Sequence, residues 1–221
     1  MKVLTLDVGN TSVDVCLFEK ELLYLGKFLG ELPYFEADVV LVSSVKPSVE
    51  GFIRDRYPKA KFVKPEEVPL KTAFEGKERV GVDRLLNLYG AVSLYGGDLV
   101  VVSAGTALVV DLCLDGVFQG GFITLGIGSG LKCLHQRAEL IPEVKPRKLS
   151  LDIGTNTEEA ILGGFINQAV FFLKGCVESW KRKYGRELKV ILTGGDGWLI
   201  EELGFYDPLL PHRAMLSLLS P

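Results

Sequence analysis

Residues 3–18 read VLTLDVGNTSVDVCLF, and this stretch decides the fold that the sequence predicts. Alternating apolar and β-branched residues on either side of Gly9 and Asn10 predict two strands joined by a tight turn. Polar residues at 19–21 indicate a second turn, after which residues 22–28 return as a third strand. Residues 38–44 read DVVLVSS and predict a short strand that is covered on both faces.

The same pattern restarts in the middle of the chain. Residues 99–112 read LVVVSAGTALVVDL and repeat the opening at an offset of 103 − 7 = 96 positions. Three pairs of positions match at this offset: Gly9 with Gly105, Asn10 with Thr106, and Val13 with Val109. Because internal repetition changes the fold prediction, we expect an α/β protein with two duplicated βββαβα-like halves. The expected halves are residues 1–97 and residues 98–221, with a hinge near Gly96 and Gly97.

Helical periodicity predicts three longer helices among these strands. Residues 45–57 and 83–95 carry apolar side chains at helical spacing, and Gly96 follows the second of them. Residues 156–184 predict a long helix in which Asn156 and Glu159 form a capping box. Residues 189–193 then predict a strand, which a glycine turn connects to a short helix over residues 198–203.

Composition and charge exclude several classes of protein. The 221 residues are 48% apolar, which suffices for a core and excludes intrinsic disorder. Lys and Arg number 25 against 28 Asp and Glu, so no nucleic-acid partner is expected. The longest apolar run is shorter than a bilayer span requires, and Asp7 interrupts what would be the core of a signal peptide. We therefore expect no membrane association.

The cysteines indicate the compartment. Cys16, Cys113, Cys133 and Cys176 lie far apart without a CxxC pair, and the chain has only two histidines. This pattern predicts free thiols in a reducing cytoplasm and no structural zinc site.

The turn at residues 7–11 is the strongest local signal for chemistry. Gly9 lets backbone amides approach a ligand, while Asn10 and Thr11 add hydrogen-bonding groups. Asp7, at the end of the first strand, is suited to hold Mg²⁺ close to phosphate oxygens. An ordinary hairpin turn explains the same residues, so both interpretations remain open here. The second copy at Gly105 and Thr106 favours a phosphate-binding function.

Two further motifs carry polar or glycine residues next to predicted elements. Asp83 and Arg84 open a helix, where Asp83 is either a helix cap or a general base. In the second interpretation Arg84 anchors an anionic substrate. Gly194 and Gly195 follow a buried strand and permit a flat ligand to lie against the backbone. The P-loop and GxGxxG fingerprints are absent from the sequence, which disfavours those nucleotide-binding folds.

Taken in order, these motifs resemble type III pantothenate kinase. The motifs are DVGNT at 7–11, GVDR at 81–84, GTA at 105–107, GG at 120–121, TEE at 157–159 and TGG at 193–195. The resemblance implies the acetate and sugar kinase, heat-shock protein and actin superfamily, with ribonuclease H-like halves and a cleft between them. It also implies ATP-dependent phosphorylation of pantothenate to 4'-phosphopantothenate, the first step of coenzyme A biosynthesis. Another small-molecule kinase of this superfamily and a non-enzymatic regulatory homologue remain as alternatives.

The resemblance further implies roles for individual residues. ATP would be bound by Asp7, Val8, Gly9, Asn10, Thr11, Ser12, Val13, Asp14 and Thr106, with Mg²⁺ at Asp7 and residues 193–195 bordering the nucleotide. Pantothenate would be bound by Phe74, Gly81, Val82, Asp83, Arg84 and Thr157, with Asp83 as the catalytic proton acceptor. Family members are dimeric, and the long helix after Asn156 is expected at their interface.

Three positions depart from the family pattern. Ser103 stands where the family has an aspartate associated with a monovalent cation, K⁺ or NH₄⁺. The neutral hydroxyl removes a full negative charge and leaves the need for that cation open. Phe74 keeps an aromatic ring where the family often has tyrosine, and Leu125 replaces a proline.

Overall fold

The chain divides into two compact units in a computed structural model that describes residues 1–73, 75–150 and 152–219. The first unit contains residues 1–95 together with the segment that begins at Leu209, and the second contains Gly96–Pro208. The division predicted after residue 97 lies two residues from the boundary between Tyr95 and Gly96. The prediction assigned the segment from Leu209 to the second half, whereas in the structure this segment belongs to the first unit.

The first unit contains a five-stranded sheet in the order β3-β2-β1-β4-β5. Its strands are β1 (Val3–Val8), β2 (Val13–Phe18), β3 (Leu22–Phe28), β4 (Val39–Ser44) and β5 (Lys61–Phe62). The first three strands are antiparallel neighbours, while β4 and β5 add in parallel beyond β1. Its other elements are α1 (Pro47–Arg56), a short strand β6 (Lys71–Thr72), α2 (Val82–Tyr95), α5 (Leu210–Ser217) and 3₁₀ turns at Pro65–Glu67 and Lys77–Arg79.

The second unit repeats this topology with its strands in the order β11-β10-β7-β8-β9. Its strands are β7 (Leu99–Ala104), β8 (Ala107–Leu114), β9 (Val117–Leu125), β10 (Lys189–Thr193) and β11 (Phe205–Tyr206). Again three antiparallel strands are followed by two parallel ones. Its helices are α3 (Ile127–Arg137), α4 (Thr157–Tyr184) and a 3₁₀ helix at Gly197–Leu203. The predicted duplication of α/β halves is therefore confirmed.

The two first strands match at the predicted offset, but the turns that follow them differ in length. Val8 pairs with Val13, whereas Ala104 pairs with Leu108. The second turn is thus one residue shorter, and Val13 corresponds to Leu108. The predicted match of Val13 with Val109 is wrong, because a sequence offset does not register a deletion inside a turn.

Strand β1 is covered on both faces, as its nearly continuous apolar sequence predicts. Leu4 and Leu6 point into a core that includes Ile53 of α1, and each is fully buried. Burial of each such side chain contributes about 1.5–3 kcal/mol. Thr5 lies on the opposite face because strand side chains alternate, and Asp7 shares that face with Thr5.

The long helix α4 begins and ends at clear signals. Asn156 caps it by accepting a hydrogen bond from the Glu159 backbone amide at 3.0 Å. The Glu159 carboxylate accepts from the Thr155 amide, one residue before the position that a capping box requires. Gly185 ends the helix in the left-handed conformation, with φ of 63°. Helix α4 is long and apolar enough to cross a membrane, but the same is true of many buried core helices. In its most apolar 18-residue stretch, 44% of the residues are buried inside the protein.

Helix α5 packs closely on α2 and β1 in the first unit. A Cβ atom placed on Gly90 of α2 would lie 2.7 Å from the Cβ of Ala214, so only glycine permits this approach. His212 is buried, and its Nδ1 lies 2.8 Å from the Thr5 hydroxyl oxygen. Burial lowers the pKa of His212 to about 4, so the ring is neutral at pH 7.

His212 makes the stability of the folded chain depend on pH. Its pKa lies below the unfolded value of 6.5, so the unfolded chain binds a proton first as the pH falls from 7 to 4. We expect this group to cost about 2 kcal/mol of unfolding free energy at pH 5 relative to pH 7.5. The His212→Asn variant lacks this dependence. The amount by which it is less stable than the natural chain should therefore be about 2 kcal/mol smaller at pH 5 than at pH 7.5. Denaturant titrations at both pH values measure it, with exposed His135→Asn as the control. An equal deficit at both pH values contradicts the prediction.

Candidate functional site

The turn at residues 7–14, which is the predicted binding site for the ATP phosphates and is called the first phosphate loop, connects β1 and β2. Asp7 and Val8 end β1, and Val13 and Asp14 begin β2. The intervening turn is closed by a hydrogen bond of 3.0 Å from the Gly9 amide to the Ser12 carbonyl. Asn10 and Thr11 are exposed at its tip. The predicted ATP-binding residues from 7 to 14 therefore form one continuous hairpin end.

Two carboxylates face each other across this hairpin in different environments. Asp14 pairs with Asp7 in the strand register. The Tyr24 hydroxyl donates to Asp14 at 2.9 Å, and the Lys27 ammonium lies 3.6 Å from the Asp14 carboxylate. The charge of Asp14 is thus compensated locally.

Asp7 is destabilised as an anion. Burial raises its pKa to about 7, and the nearby charges of Asp83 and Asp14 act in the same direction. The Ser43 hydroxyl, next to Asp7 across the parallel strand pair, and the Lys27 ammonium oppose this shift. A carboxylate in such surroundings gains from a bound cation, because the cation relieves the repulsion.

The GVDR motif places Asp83 in the first turn of α2. Val82, its neighbour, is a buried core residue. Burial raises the pKa of Asp83, while the Arg84 amide and the Arg84 guanidinium oppose the shift. A Cβ on Gly81 would lie 2.5 Å from Oδ1 of Asp83, so the glycine makes room for the carboxylate. Phe74, the other residue predicted to contact pantothenate in this unit, lies outside the described residues.

The turn at Gly105 and Thr106, which is predicted to bind phosphate and is called the second phosphate loop, lies in the second unit and is held by hydrogen bonds from two sides. Its Gly105 amide donates to the Ala107 carbonyl at 2.9 Å, and the Gly126 amide donates to the Thr106 carbonyl at 3.1 Å. The Asp196 amide donates to the Ala104 carbonyl at 2.9 Å. The predicted ATP contact Thr106 is exposed at the tip of this loop.

Asp196 also joins the glycine turn at 194–195 to the start of α3. Its Oδ2 accepts a hydrogen bond of 2.9 Å from the Gly128 amide. A Cβ on Gly194 would lie 2.3 Å from the Ala104 carbonyl oxygen, so only glycine fits there. The TGG turn and the second phosphate loop therefore form one packed group, which the sequence analysis treated as two separate signals.

Ser103 is the penultimate residue of β7, at the position that corresponds to Asp7 in β1. Its strand neighbours are Val109 and Thr193, neither of which carries a charge. Thr193 is buried, and its hydroxyl has no hydrogen-bond partner among the described residues. The position thus offers neutral groups where the first unit has a carboxylate.

Thr157 is the first residue of α4 and lines an apolar cavity of about 560 Å³ in the second unit. The cavity is formed by α3, α4 and the segment after α3. Its other lining residues are Leu134, Ile141, Ala160, Ile161, Gly164, Phe165 and Gln168.

Comparisons with known proteins show the family to which the chain belongs. Residues 25–179 match the family model of type III pantothenate kinase. The chain is 44% identical to the type III pantothenate kinase of Aquifex aeolicus, over 99% of this chain and 97% of that protein. The family relative from a Sulfurihydrogenibium species is 32% identical over 74% of this chain and 68% of that protein. The chain belongs to the type III pantothenate kinase family.

Solved structures show the fold of this kinase. A protein of Campylobacter jejuni, described as a Baf family transcriptional activator, superposes with a TM-score of 0.71 at 22% identity, over 98% of this chain and 96% of that chain. Component A of (R)-2-hydroxyglutaryl-CoA dehydratase from Acidaminococcus fermentans gives 0.53 at 15% identity, over 98% and 95%. The predicted fold class, duplicated ribonuclease H-like α/β halves, is confirmed.

The residues of the kinase fit a magnesium ion that is held mainly by substrate. Among the described residues, no group of three or more His, Cys, Asp or Glu side chains is placed to hold a metal ion. Mg²⁺ in nucleotide sites is commonly held by one or two carboxylates together with phosphates and waters. Asp7, whose ionised form is destabilised in the free protein, suits this role.

Asp7 should reduce the stability of the free kinase above neutral pH. Its folded pKa is about 7 against 3.8 for the ordinary group, so the folded protein binds the extra proton and stability falls as the pH rises between these values. We expect Asp7→Asn to gain about 1–3 kcal/mol of unfolding free energy at pH 8 relative to its effect at pH 5, since a change of one in pKa corresponds to about 1.4 kcal/mol. Denaturant titration without nucleotide or metal measures this gain.

Asp14→Asn is the matched control for that experiment. It removes a carboxylate from the same hairpin, but one that Lys27 and Tyr24 already compensate. It should therefore gain less at pH 8 than Asp7→Asn does, because it removes only the contribution of the Asp14 charge to the raised pKa of Asp7. An Asp7→Asn variant whose difference in unfolding free energy from the natural chain is the same at pH 5 and at pH 8 would refute the electrostatic account.

Proposed function

We propose that this chain transfers the γ-phosphoryl group of ATP to the terminal hydroxyl of pantothenate, giving 4'-phosphopantothenate for coenzyme A synthesis. Membership of the type III pantothenate kinase family supports the activity. The observation that carries the mechanism is the Asp83 carboxylate in the first turn of α2, in the same unit as the predicted phosphate loop, whose charge adds to the effect of burial in raising the pKa of Asp7. A carboxylate beside a phosphate loop is where a proton acceptor for an attacking alcohol is needed.

Asp83 is the proposed general base. Because burial raises its pKa, it is a stronger proton acceptor than a solvated aspartate. The first turn of α2 fixes its backbone, and the absence of a side chain at Gly81 leaves space for its carboxylate. It accepts the hydroxyl proton of pantothenate as the oxygen attacks the γ-phosphorus in line.

Arg84 is the proposed anchor for the carboxylate of pantothenate. A guanidinium binds a carboxylate through two parallel hydrogen bonds, which fixes orientation as well as position. Arg84 follows Asp83 directly, so one helical turn would hold the substrate and its proton acceptor. Thr157 and Phe74 remain predicted contacts of pantothenate.

The hairpin at residues 7–14 is the proposed binding site for the ATP phosphates, and Thr106 is a further predicted ATP contact. Mg²⁺ bound at Asp7 would neutralise phosphate charge. The chain supplies the backbone amides of the turn and the position of Asp7. Most of the rate enhancement then comes from positioning and from these dipoles, because phosphoryl transfer requires little covalent chemistry from the protein.

Replacing the proposed base tests this mechanism. Asp83→Asn keeps the size of the side chain but cannot accept the proton, so we expect turnover to fall about 10²–10⁴-fold. ATP binding should be unchanged. The measurement is a coupled assay of ADP formation with pantothenate, ATP and Mg²⁺, together with a calorimetric titration of an ATP analogue.

Asp55→Asn serves as the control, since Asp55 is an exposed carboxylate of the same unit. It should turn over like the natural chain. If Asp83→Asn turned over at the rate of the natural chain, Asp83 would not be the general base. Absence of pantothenate phosphorylation by the natural chain, with activity on a sugar, would favour another kinase of the superfamily.

The residues around Ser103 do not fit the family's monovalent cation site. A hydroxyl and its uncharged strand neighbours offer no negative charge to hold K⁺ or NH₄⁺. We propose that the chain turns over without this cation.

The cation proposal predicts equal turnover in potassium buffer and in tetramethylammonium buffer at the same ionic strength. Ser103→Asp, which restores the charge, should make turnover respond to potassium. A natural chain that loses most of its activity without potassium would show that other groups hold the ion.

A homodimer in the cytoplasm completes the proposal. The second unit exposes large apolar side chains on β9 and α4, which is typical of an interaction surface. These side chains are Phe122, Ile123, Leu125 and Phe171, each between 51% and 66% exposed. The four cysteines are free thiols, as suits a reducing compartment.

A further inference from the structure

Lys46 reaches the first phosphate loop from the neighbouring strand. It follows β4, which runs parallel to β1, and so leaves the sheet at the same edge as the loop. The Val45 amide donates to the Val8 carbonyl at 3.1 Å, which ties the two strand ends together. The Lys46 ammonium donates to the Asn10 carbonyl at 3.0 Å. The sequence analysis assigned no role to this lysine.

Within residues 1–73, 75–150 and 152–219, no side chain neutralises the charge of Lys46. Among the described residues, no carboxylate forms an ion pair with it, in contrast to Lys27, which pairs with Asp14. An ammonium has three N–H donors, and one of them is used by Asn10. Two donors and a full positive charge therefore remain beside the turn that Gly9 and Asn10 form.

The surroundings of Lys46 keep its side chain in place. Its backbone amide donates to the Ser44 hydroxyl at 3.3 Å, and its carbonyl accepts from the Val49 amide at 3.1 Å in the first turn of α1. Lys46 is only partly exposed. A cation whose backbone and ammonium are both held loses less side-chain entropy on binding a ligand than a free surface lysine does.

We infer that Lys46 is a phosphate-binding residue of this kinase, whose ammonium binds a phosphate oxygen of ATP while remaining bonded to the Asn10 carbonyl. The inference rests on the proposed binding of ATP at residues 7–14. The loop supplies backbone amides on one side of the phosphates, and Lys46 supplies the positive charge on the other. Such a combination of a glycine turn with a lysine suits a phosphate, which is recognised by amide donors and a point charge.

Three variants separate the charge of Lys46 from its structural bond to the loop. Lys46→Arg keeps a charge, Lys46→Gln keeps a donor for Asn10 without a charge, and Lys46→Met removes both. Binding of a non-hydrolysable ATP analogue and of adenosine to the full chain is measured by calorimetry. The KM values for ATP and for pantothenate are measured alongside.

If Lys46 binds phosphate, both Gln and Met variants lose about 10-fold or more in affinity for the ATP analogue, because a charged hydrogen bond is lost. Adenosine binding and the KM for pantothenate should change less than about 2-fold, and the Arg variant should stay within about 3-fold. Raising the salt concentration should weaken analogue binding more in the natural chain than in Lys46→Gln. Lys59→Gln, an exposed lysine of the same unit, is the control and should bind the analogue normally.

Three outcomes overturn the inference. A Gln variant with natural affinity shows that the bond to Asn10 alone matters. An equal loss of adenosine and analogue binding shows that the lysine only supports the fold of the loop. A change confined to the KM for pantothenate assigns the charge to the other substrate. If instead the natural chain binds no ATP analogue, the proposed function itself fails, whatever the variants do.

Discussion

The burial of the Asp7 carboxylate among other acidic groups is the constraint on which the functional part of the first unit depends. Burial, together with the charges of Asp83 and Asp14, raises the pKa of Asp7 to about 7. Ionising Asp7 in these surroundings opposes folding. Positive charge at the hairpin therefore stabilises the ionised form. The Lys27 ammonium supplies part of it, and the proposed Mg²⁺ would supply more.

The sheet holds this unfavourable arrangement in place because β1 is fixed from both faces. Leu4 and Leu6 bury one face against the core with Ile53. On the other face, His212 contacts Thr5, two residues before Asp7 and on the same side of the strand. The C-terminal helix therefore supports the strand that carries the phosphate loop, although it lies more than two hundred residues away in the sequence.

The two units keep one topology but have diverged in charge at equivalent positions. Asp7 has Ser43 as its neighbour on the parallel strand, while Ser103 has Thr193 at the same place. At this pair of positions the first unit thus has a carboxylate and a hydroxyl, whereas the second has two hydroxyls. The shorter turn between β7 and β8 adds to this difference. The two units therefore share a scaffold and differ in the side chains at the ends of equivalent strands.

Several features could be predicted from the amino-acid sequence because they depend on neighbours along the chain. The three-stranded opening, its repeat at residues 99–112 and the cap at Asn156 follow from local alternation, glycine turns and side-chain hydrogen bonds. The order of the short motifs was enough to predict the family. The match of Val13 with Val109 was wrong because the deletion in the second turn is visible only in strand pairing.

Other features were decided by tertiary structure, since they depend on residues that are distant in sequence. Helix α5 has eight residues and no cap, so its packing against Gly90 and Thr5 has no local signal. The contact of Lys46 with Asn10 arises because β4 pairs in parallel with β1, and the repulsion of Asp83 on Asp7 arises from the placement of α2. The sequence determined which groups are present and which elements carry them. Only the packed sheet and helices decided which charges are buried together, because burial and proximity are properties of the folded chain.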